Sequence, residues 1–323
     1  MTLKGFIDLV QERLSVHYPV QECKAIATRL LKESLEGYKG YEHLVEPGRN
    51  VNDFAIVEAF AKGGVPDAAD CDKACDADGT VEAFLLAAVE RLSTGEPLQY
   101  VLGYEIFCGH RFNVASGVLV PRPETEELVR EVVSHAKRCG KGKLRILDIC
   151  TGSGCIAWSV AAALPAAQVY GCDISLQALG IAGGQEIYSA DGERRAAVKF
   201  FECDILAEDA LERIARECGE EKFDIVVSNP PYVCESERSL MHRNVLEFEP
   251  SIALFVPDGD PLRFYRRIAK LSGRLLGSGG ALFFEINERF GRETADAMRE
   301  AGFKDCIVLE DIFGKDRVVE GIF

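Results

Sequence analysis

The sequence is short of several things, and each shortage removes a class of protein. No apolar run approaches the roughly 20 residues that a bilayer-spanning helix needs, so no membrane association is expected. No secretory leader is expected either. Met1 to Val20 intersperses apolar residues with Lys4, Asp8, Glu12 and Arg13, the pattern of an amphipathic helix. A cytoplasmic protein is therefore expected. Histidine is scarce, with five residues and no close pair. The only closely spaced acidic-stretch cysteines, Cys71 and Cys75, lack the two further ligands a zinc site requires, and no metal site is expected. Basic stripes are also absent: the formal net charge is −15, and a protein gripping duplex DNA by its phosphates needs the opposite balance. Arg263, Arg266 and Arg267 cluster at helical spacing and read as a solvated helix face. No direct DNA binding is expected, and the partner is a small molecule or a basic protein or RNA complex. No internal repeat is visible.

What the chain does have is length and apolar content. Its 323 residues suffice for two domains, and 47% of them are hydrophobic, enough for sizeable cores. The 12 cysteines are scattered. Cys150, Cys155, Cys172 and Cys306 sit in apolar runs, where a reduced thiol packs as a small hydrophobe.

Residues 1–92 read as helical. Phe6, Leu9, Val10 and Leu14 recur at helix spacing, Pro19 suits a helix start, and Ala25, Ile26, Leu30 and Leu31 continue the pattern. Phe54 to Phe60 and Val81 to Leu92 predict two more helices, separated by a long exposed loop from Gly63 to Gly79. Residues 93–122 read as a hairpin linker, with strands at Glu105–Val114 and Val118–Val120 and a turn at Ala115-Ser116-Gly117. Residues 123–323 form the third region. There a helix from Glu124 to Lys137 precedes alternating strands and helices. The strands are Arg145–Ile149, Gln168–Cys172, Val198–Glu202, Phe223–Val227, Ala281–Ile286, Cys306–Leu309 and Arg317–Gly321. Such alternation predicts an α/β fold with a mostly parallel sheet covered on both faces, and ligands beyond the strands' carboxyl ends.

The strand ends carry the chemistry. The first runs into Cys150-Thr151-Gly152-Ser153-Gly154 before a helix, a turn suited to close ligand approach. Asp173 ends the next strand, where an acid accepts from ribose hydroxyls, and Asp204 ends the third, within reach of an adenine edge. Gly152-x-Gly154-x-x-Ala157 also satisfies a dinucleotide fingerprint, so a nicotinamide or flavin enzyme stays open at this point.

The fourth strand ends in Asn229-Pro230-Pro231-Tyr232. Two prolines simply stop a strand, but they also stiffen the backbone beside the nucleotide. A planar amide or aryl amine nitrogen is a poor nucleophile because its lone pair is delocalised. Two fixed acceptors, the Asn229 side-chain oxygen and the Pro230 carbonyl, can hold both N–H bonds and turn the lone pair toward a sulfonium methyl. Tyr232 offers a ring to pack on a planar group. Orientation of this kind can supply roughly 7–11 kcal/mol. A nicotinamide enzyme has no use for it.

With these residues the chain resembles the PrmC/HemK family, the glutamine-N5 methyltransferases of peptide-chain release factors. The resemblance covers nearly the whole chain: Gly95-Glu96-Pro97-Leu98-Gln99-Tyr100, Val120-Pro121-Arg122-Pro123-Glu124-Thr125-Glu126, the glycine turn, Asn229 to Tyr232, Phe248-Glu249-Pro250, and Asp311 to Arg317. It implies a class I, Rossmann-like methyltransferase domain with a seven-stranded sheet, a small helical N-terminal domain and a β-hairpin linker. It implies S-adenosyl-L-methionine as cofactor and S-adenosyl-L-homocysteine as product. Cys150, Thr151, Gly152, Ser153 and Gly154 would wrap the methionine end, Asp173 the ribose, Asp204 and Ile205 the adenine, with Asn229 also touching the cofactor. Asn229, Pro230, Pro231 and Tyr232 would bind the substrate, the Gly-Gly-Gln glutamine of class 1 release factors. A monomer is expected. The alternatives are a ribosomal-protein glutamine methyltransferase, a DNA amino-methyltransferase, and a non-catalytic module that keeps the cofactor fold. Two departures stand out: Cys150 occupies the place where the family usually has the first glycine of the turn, and the Gly63–Gly79 stretch is longer than the family's N-terminal domain usually carries at that point.

Overall fold

The computed structural model describes residues 3–36, 81–189, 192 and 196–323. The helix expected at Phe54–Phe60, the loop at Gly63–Gly79 and the Cys71/Cys75 pair lie outside them. The chain divides into two compact units, Met1–Leu102 with Arg243–Phe248, and Gly103–His242 with Glu249–Phe323.

In the first unit, helices α1 (Leu3–Leu14), α2 (Val20–Glu36) and α3 (Val81–Ser93) bury one apolar stripe each. Phe6, Val10, Leu14, Ile26, Leu30, Leu85 and Leu92 meet in one core. The Gly95–Tyr100 segment folds back on α3 and continues into a short helix, α4 (Leu98–Leu102), which periodicity did not show. Arg91 holds this corner: it pairs with Glu96 at 2.5 Å and donates to the Tyr100 and Val101 carbonyls. Helix α9 (Arg243–Phe248) completes the unit.

The second unit opens with a hairpin, but not the expected one. Strands β1 (Tyr104–Phe107) and β2 (His110–Asn113) pair across Cys108-Gly109. Both turn residues have positive φ, 49° and 77°, as a two-residue hairpin turn matched to strand twist demands. Ser116-Gly117 does turn, yet Val118–Val120 is not a strand.

The main sheet has seven strands in the order β10-β11-β9-β6-β3-β4-β5. These are β3 (Arg145–Ile149), β4 (Gln168–Asp173), β5 (Val198–Glu202), β6 (Phe223–Ser228), β9 (Leu276–Glu285), β10 (Lys304–Glu310) and β11 (Asp316–Ile322). The pairs β3–β4, β4–β5, β3–β6 and β6–β9 are parallel, and β11 runs antiparallel to both its neighbours. Every residue of β3 is buried, as a central strand covered on both faces must be. One face packs on α5 (Thr125–Cys139) and α6 (Cys155–Ala163). The other packs on α8 (Ala210–Cys218), α10 (Arg263–Leu275) and α11 (Gly291–Glu300). Adjacent residues of β9 serve opposite cores: Phe283 meets the His135 ring at 5.4 Å and Phe284 meets Tyr265 at 5.2 Å. Burying such a side chain is worth about 1.5–3 kcal/mol.

After β3 the chain builds β4 and β5 on one side, then returns to lay β6 on the other. The reversal of strand order falls at the carboxyl end of β3, where a crevice opens. Among the described residues no helix is long and apolar enough to cross a membrane.

Candidate active site

A cavity of about 330 Å³ occupies that crevice. The glycine turn forms its floor. Cys150, Gly152 and Gly154 all adopt positive φ, at 61°, 54° and 79°, so three of five consecutive residues take a backbone conformation that favours glycine. Cys150 is the exception by residue type, and at this φ its Cβ crowds its own backbone. Gly152 faces open space, and a side chain there would meet nothing within 4 Å. Gly154 differs: a Cβ would approach Trp158 and Phe200 at 3.0 Å, so this glycine permits helix-to-strand packing and does not line the cavity. Beneath the turn, Thr151 donates its hydroxyl to the fully buried Asp148 at 2.5 Å. Burial pushes the Asp148 carboxyl up to about 7.

Two acids stand where the sequence placed them. Asp173 Oδ2 accepts from the Gly152 N–H and Oδ1 from the Ser175 N–H, both at 2.9 Å, which locks acid and turn together. Burial still raises its carboxyl, against these backbone donors. Asp204 is exposed at the rim beside buried Ile205, and both line the cavity. The loop that carries them is tied down by Arg267 of α10, which donates to the carbonyls of Ile205, at 2.9 Å, and Ala207. Arg263 lines the cavity itself. The expected solvated arginine face is therefore corrected: only Arg266 of the three is exposed, paired with Asp260. Helical spacing marks an arginine's side of the helix, not the carbonyls that a long side chain can reach.

At the other end of the cavity, Ser228 donates to the Ile149 carbonyl at 2.6 Å and stitches β6 to β3. Asn229 and Pro231 then line the cavity, whereas Pro230 and Tyr232 are not among its lining residues. Asn229 Nδ2 donates to Thr125 Oγ1 at 3.4 Å. The Tyr232 hydroxyl turns away and donates to Glu285 Oε1 at 3.1 Å. Burial is the first cause raising the proton affinity of both Tyr232 and Glu285.

The remaining wall was not legible as a site. Buried Glu249 accepts from the Val120 N–H at 3.0 Å and from Arg122 at 2.6 Å. It thereby ties Val120–Arg122 to the segment that leads into Pro250, and Val120, Pro121, Arg122 and Pro250 all line the cavity. Gln185 bridges similarly, accepting from Asn113 N and donating to the carbonyls of Asn113 and Ser153. The pairing of Phe248-Glu249-Pro250 with Val120-Pro121-Arg122 was present as two motifs, with no signal that they touch.

The cavity suits a nucleoside-bearing cofactor. Its lining combines an open glycine backbone, acids at two successive strand ends and apolar Ile174, Ile205 and Phe264. Residues 104–247 match the family model described as "Methyltransferase small domain". With the seven-stranded sheet and its glycine turn, this defines a class I, Rossmann-like S-adenosylmethionine-dependent methyltransferase.

Curated relatives narrow the class. The chain is 47% identical over 229 residues to the release factor glutamine methyltransferase of Bacteroides thetaiotaomicron, covering 71% of this chain and 77% of that one. It is 42% identical to that of Flavobacterium psychrophilum, covering 71% and 76%, and 35% identical to that of Chlorobaculum tepidum, covering 73% and 78%. The chain belongs to the release factor glutamine methyltransferase family.

Proposed function

We propose that this enzyme transfers a methyl group from S-adenosyl-L-methionine to the side-chain amide nitrogen of the Gly-Gly-Gln glutamine in class 1 peptide-chain release factors. The observation that carries this reading is the position of Asn229 and Pro231 on the same cavity as Asp173, Asp204 and the glycine turn. Bound there, the cofactor would supply an electrophilic methyl group. The Cys150–Gly154 turn would hold its methionine end, Asp173 the ribose hydroxyls, and Asp204 with Ile205 the adenine. Asn229 Oδ1 and the Pro230 carbonyl would accept the two amide N–H bonds of the glutamine. Pro230 and Pro231 stiffen that acceptor pair, so little reorganisation is left for the reaction step. Tyr232 supports the loop from beneath through Glu285. The clamp of Glu249 on Arg122 and Val120 shapes the wall that excludes water.

The helical region at residues 1–92 is proposed as the surface that engages the release factor, with residues 93–122 as linker and 123–323 as the catalytic region. The enzyme is proposed to act as a cytoplasmic monomer, which light scattering on the purified chain checks. The decisive test offers labelled S-adenosyl-L-methionine with purified release factor and, separately, with unmethylated DNA or ribosomal protein. A single methyl on the Gly-Gly-Gln glutamine, located by mass spectrometry, is the expected result. Label in DNA or ribosomal protein alone would replace this reading with one of those substrates.

A further inference from the structure

The turn between β10 and β11 carries Ile312 and Phe313, and both side chains stand in solvent, 80% and 77% exposed. Slack backbone does not explain this, because the turn is held closely. The Gly314 N–H donates to the Asp311 carbonyl at 2.9 Å, and the Asp311 N–H donates to the Lys315 carbonyl at 2.8 Å. Asp311 is buried, and its carboxylate adds the rest. Oδ1 accepts from the Phe313 and Lys315 N–H groups at 2.9 and 3.1 Å, and Oδ2 accepts from Arg317 at 3.0 Å. The backbone is thus ordered while its two apolar side chains remain in water. A turn left to solvent favours Gly, Asn, Asp and Ser. A single exposed apolar residue is ordinary, but a fixed adjacent pair forms a contiguous apolar patch.

The place of this patch says what meets it. β11 runs antiparallel to β9 with Val318 opposite Glu285, so the turn lies at the carboxyl end of the parallel strands, where the cavity opens. Three contacts tie it to the Asn229–Tyr232 loop. The Ile286 N–H donates to the Arg317 carbonyl at 3.0 Å. The next residue, Asn287, donates from Nδ2 to the Tyr232 carbonyl at 3.3 Å. Lys315 then pairs with Glu288 at 2.8 Å. Ile312 and Phe313 therefore stand on the rim beside that loop, outside the cavity itself. A cavity of about 330 Å³ takes a cofactor and a side chain, not a folded domain. A protein that inserts a glutamine at Asn229 must lay the rest of its surface over this rim.

We propose that Ile312 and Phe313 form a docking lip that takes an apolar patch of the release factor next to its Gly-Gly-Gln loop. The inference rests on the reading of release factor as the substrate. The net charge of −15 attracts a basic partner at long range, but it sets no register. An aromatic anchor at a fixed place beside Asn229 does set one. The hydrogen bonds of Asp311 hold the lip in place before the partner arrives, so little ordering is left to oppose binding. The lip touches neither the cofactor cavity nor the reacting atoms. Its loss should weaken the hold on the protein substrate and leave the chemical step alone.

The test is steady-state kinetics of the full chain on purified release factor, with thermal melts and cofactor calorimetry, for Phe313→Leu and for the double variant Ile312→Ser with Phe313→Ser. The double variant should raise KM for release factor about 10- to 100-fold, the range expected when an interface anchor is removed. Its kcat at saturation, cofactor affinity and melting temperature should match wild type. Phe313→Leu, which stays apolar, should keep most of the affinity. The ratio of variant to wild-type KM should be the same at low and high salt, because apolar contact is not screened. A double variant that melts like wild type and keeps wild-type KM overturns the lip. So does a KM effect that vanishes at high salt, which would assign it to charge. Light scattering covers the other occupant: a wild-type dimer that the double variant dissociates, with KM unchanged, would make the patch a contact between two copies and overturn the proposal. A wild-type enzyme that leaves release factor unmethylated would instead remove the substrate reading, and the lip's partner with it.

Discussion

The two ends of the cavity are built by different means. The glycine-turn side is local backbone: five consecutive residues with three positive φ values, locked to Asp173 by a single N–H. The Asn229 side is assembled from side chains on separated elements. Asn229 reaches Thr125 from 104 positions away, Tyr232 reaches Glu285 across 53, and Val120 meets Glu249 across 129. A cradle made of backbone tolerates change in the side chains around it but not in its conformation. A pocket made of side chains depends on each of them, and on the protons they share.

Substitutions can break that contrast. The largest effect is expected for Asn229→Ala, which would remove the proposed acceptor from the transition state. A kcat loss on the order of 100- to 1000-fold is anticipated, by analogy with deletion of one preorganised polar group, with cofactor affinity by calorimetry unchanged. Asp148, beneath the glycine turn, shows that the turn also rests on a buried acid. Its carboxyl is raised from 3.8 to about 7 by burial, so the folded chain holds a proton that the unfolded chain releases. That contribution is fully present below pH 3.8 and is lost as pH rises through about 7. The slope is at most about 1.4 kcal/mol per pH unit. Asp148→Asn should flatten it in denaturant titrations across that window, and an unchanged slope would assign the pH dependence elsewhere.

Asp173→Ala should weaken cofactor binding about 10- to 100-fold, as expected for a charged hydrogen-bonding group worth roughly 1.5–3 kcal/mol, and leave the kcat at saturation less affected. Unaltered affinity would refute the ribose contact. The smallest effect is expected at Cys150. Relief of left-handed strain, about 1–2 kcal/mol, is offset by the entropy glycine gains in the unfolded chain, about 0.4–1 kcal/mol. Cys150→Gly should thus shift stability by no more than about 1 kcal/mol, while the β-branched Cys150→Val should be clearly destabilised in the same melt. Equal stability of the two would mean that the turn's conformation does not restrict the residue.

The same contrast explains what could be read from the sequence. Strands such as Val198–Glu202 were legible to the residue because their apolar runs are bounded by turn chemistry. The glycine turn, Asp173, Asp204 and Asn229 were legible because each sits at a strand end, a one-dimensional address. The hairpin turn was misplaced to Ala115–Gly117 because Ser-Gly is a common turn signal, whereas Cys108 at φ 49° is an uncommon occupant of its position. The short helix at Leu98–Leu102 and the helix at Ala210–Cys218 were not assigned from the pattern.

By itself, then, the sequence determined the α/β alternation, the crevice at the strand ends and the tight glycine turn, because periodicity and backbone conformation are local properties. Only the tertiary structure decided that Glu249 clamps Arg122, that Arg267 holds the Ile205 loop, that Thr125 meets Asn229 and that Glu285 meets Tyr232. Those contacts join residues that share no helix turn and no strand pair. What each side chain touches is set by how the covered sheet closes around it, and no local spacing encodes that.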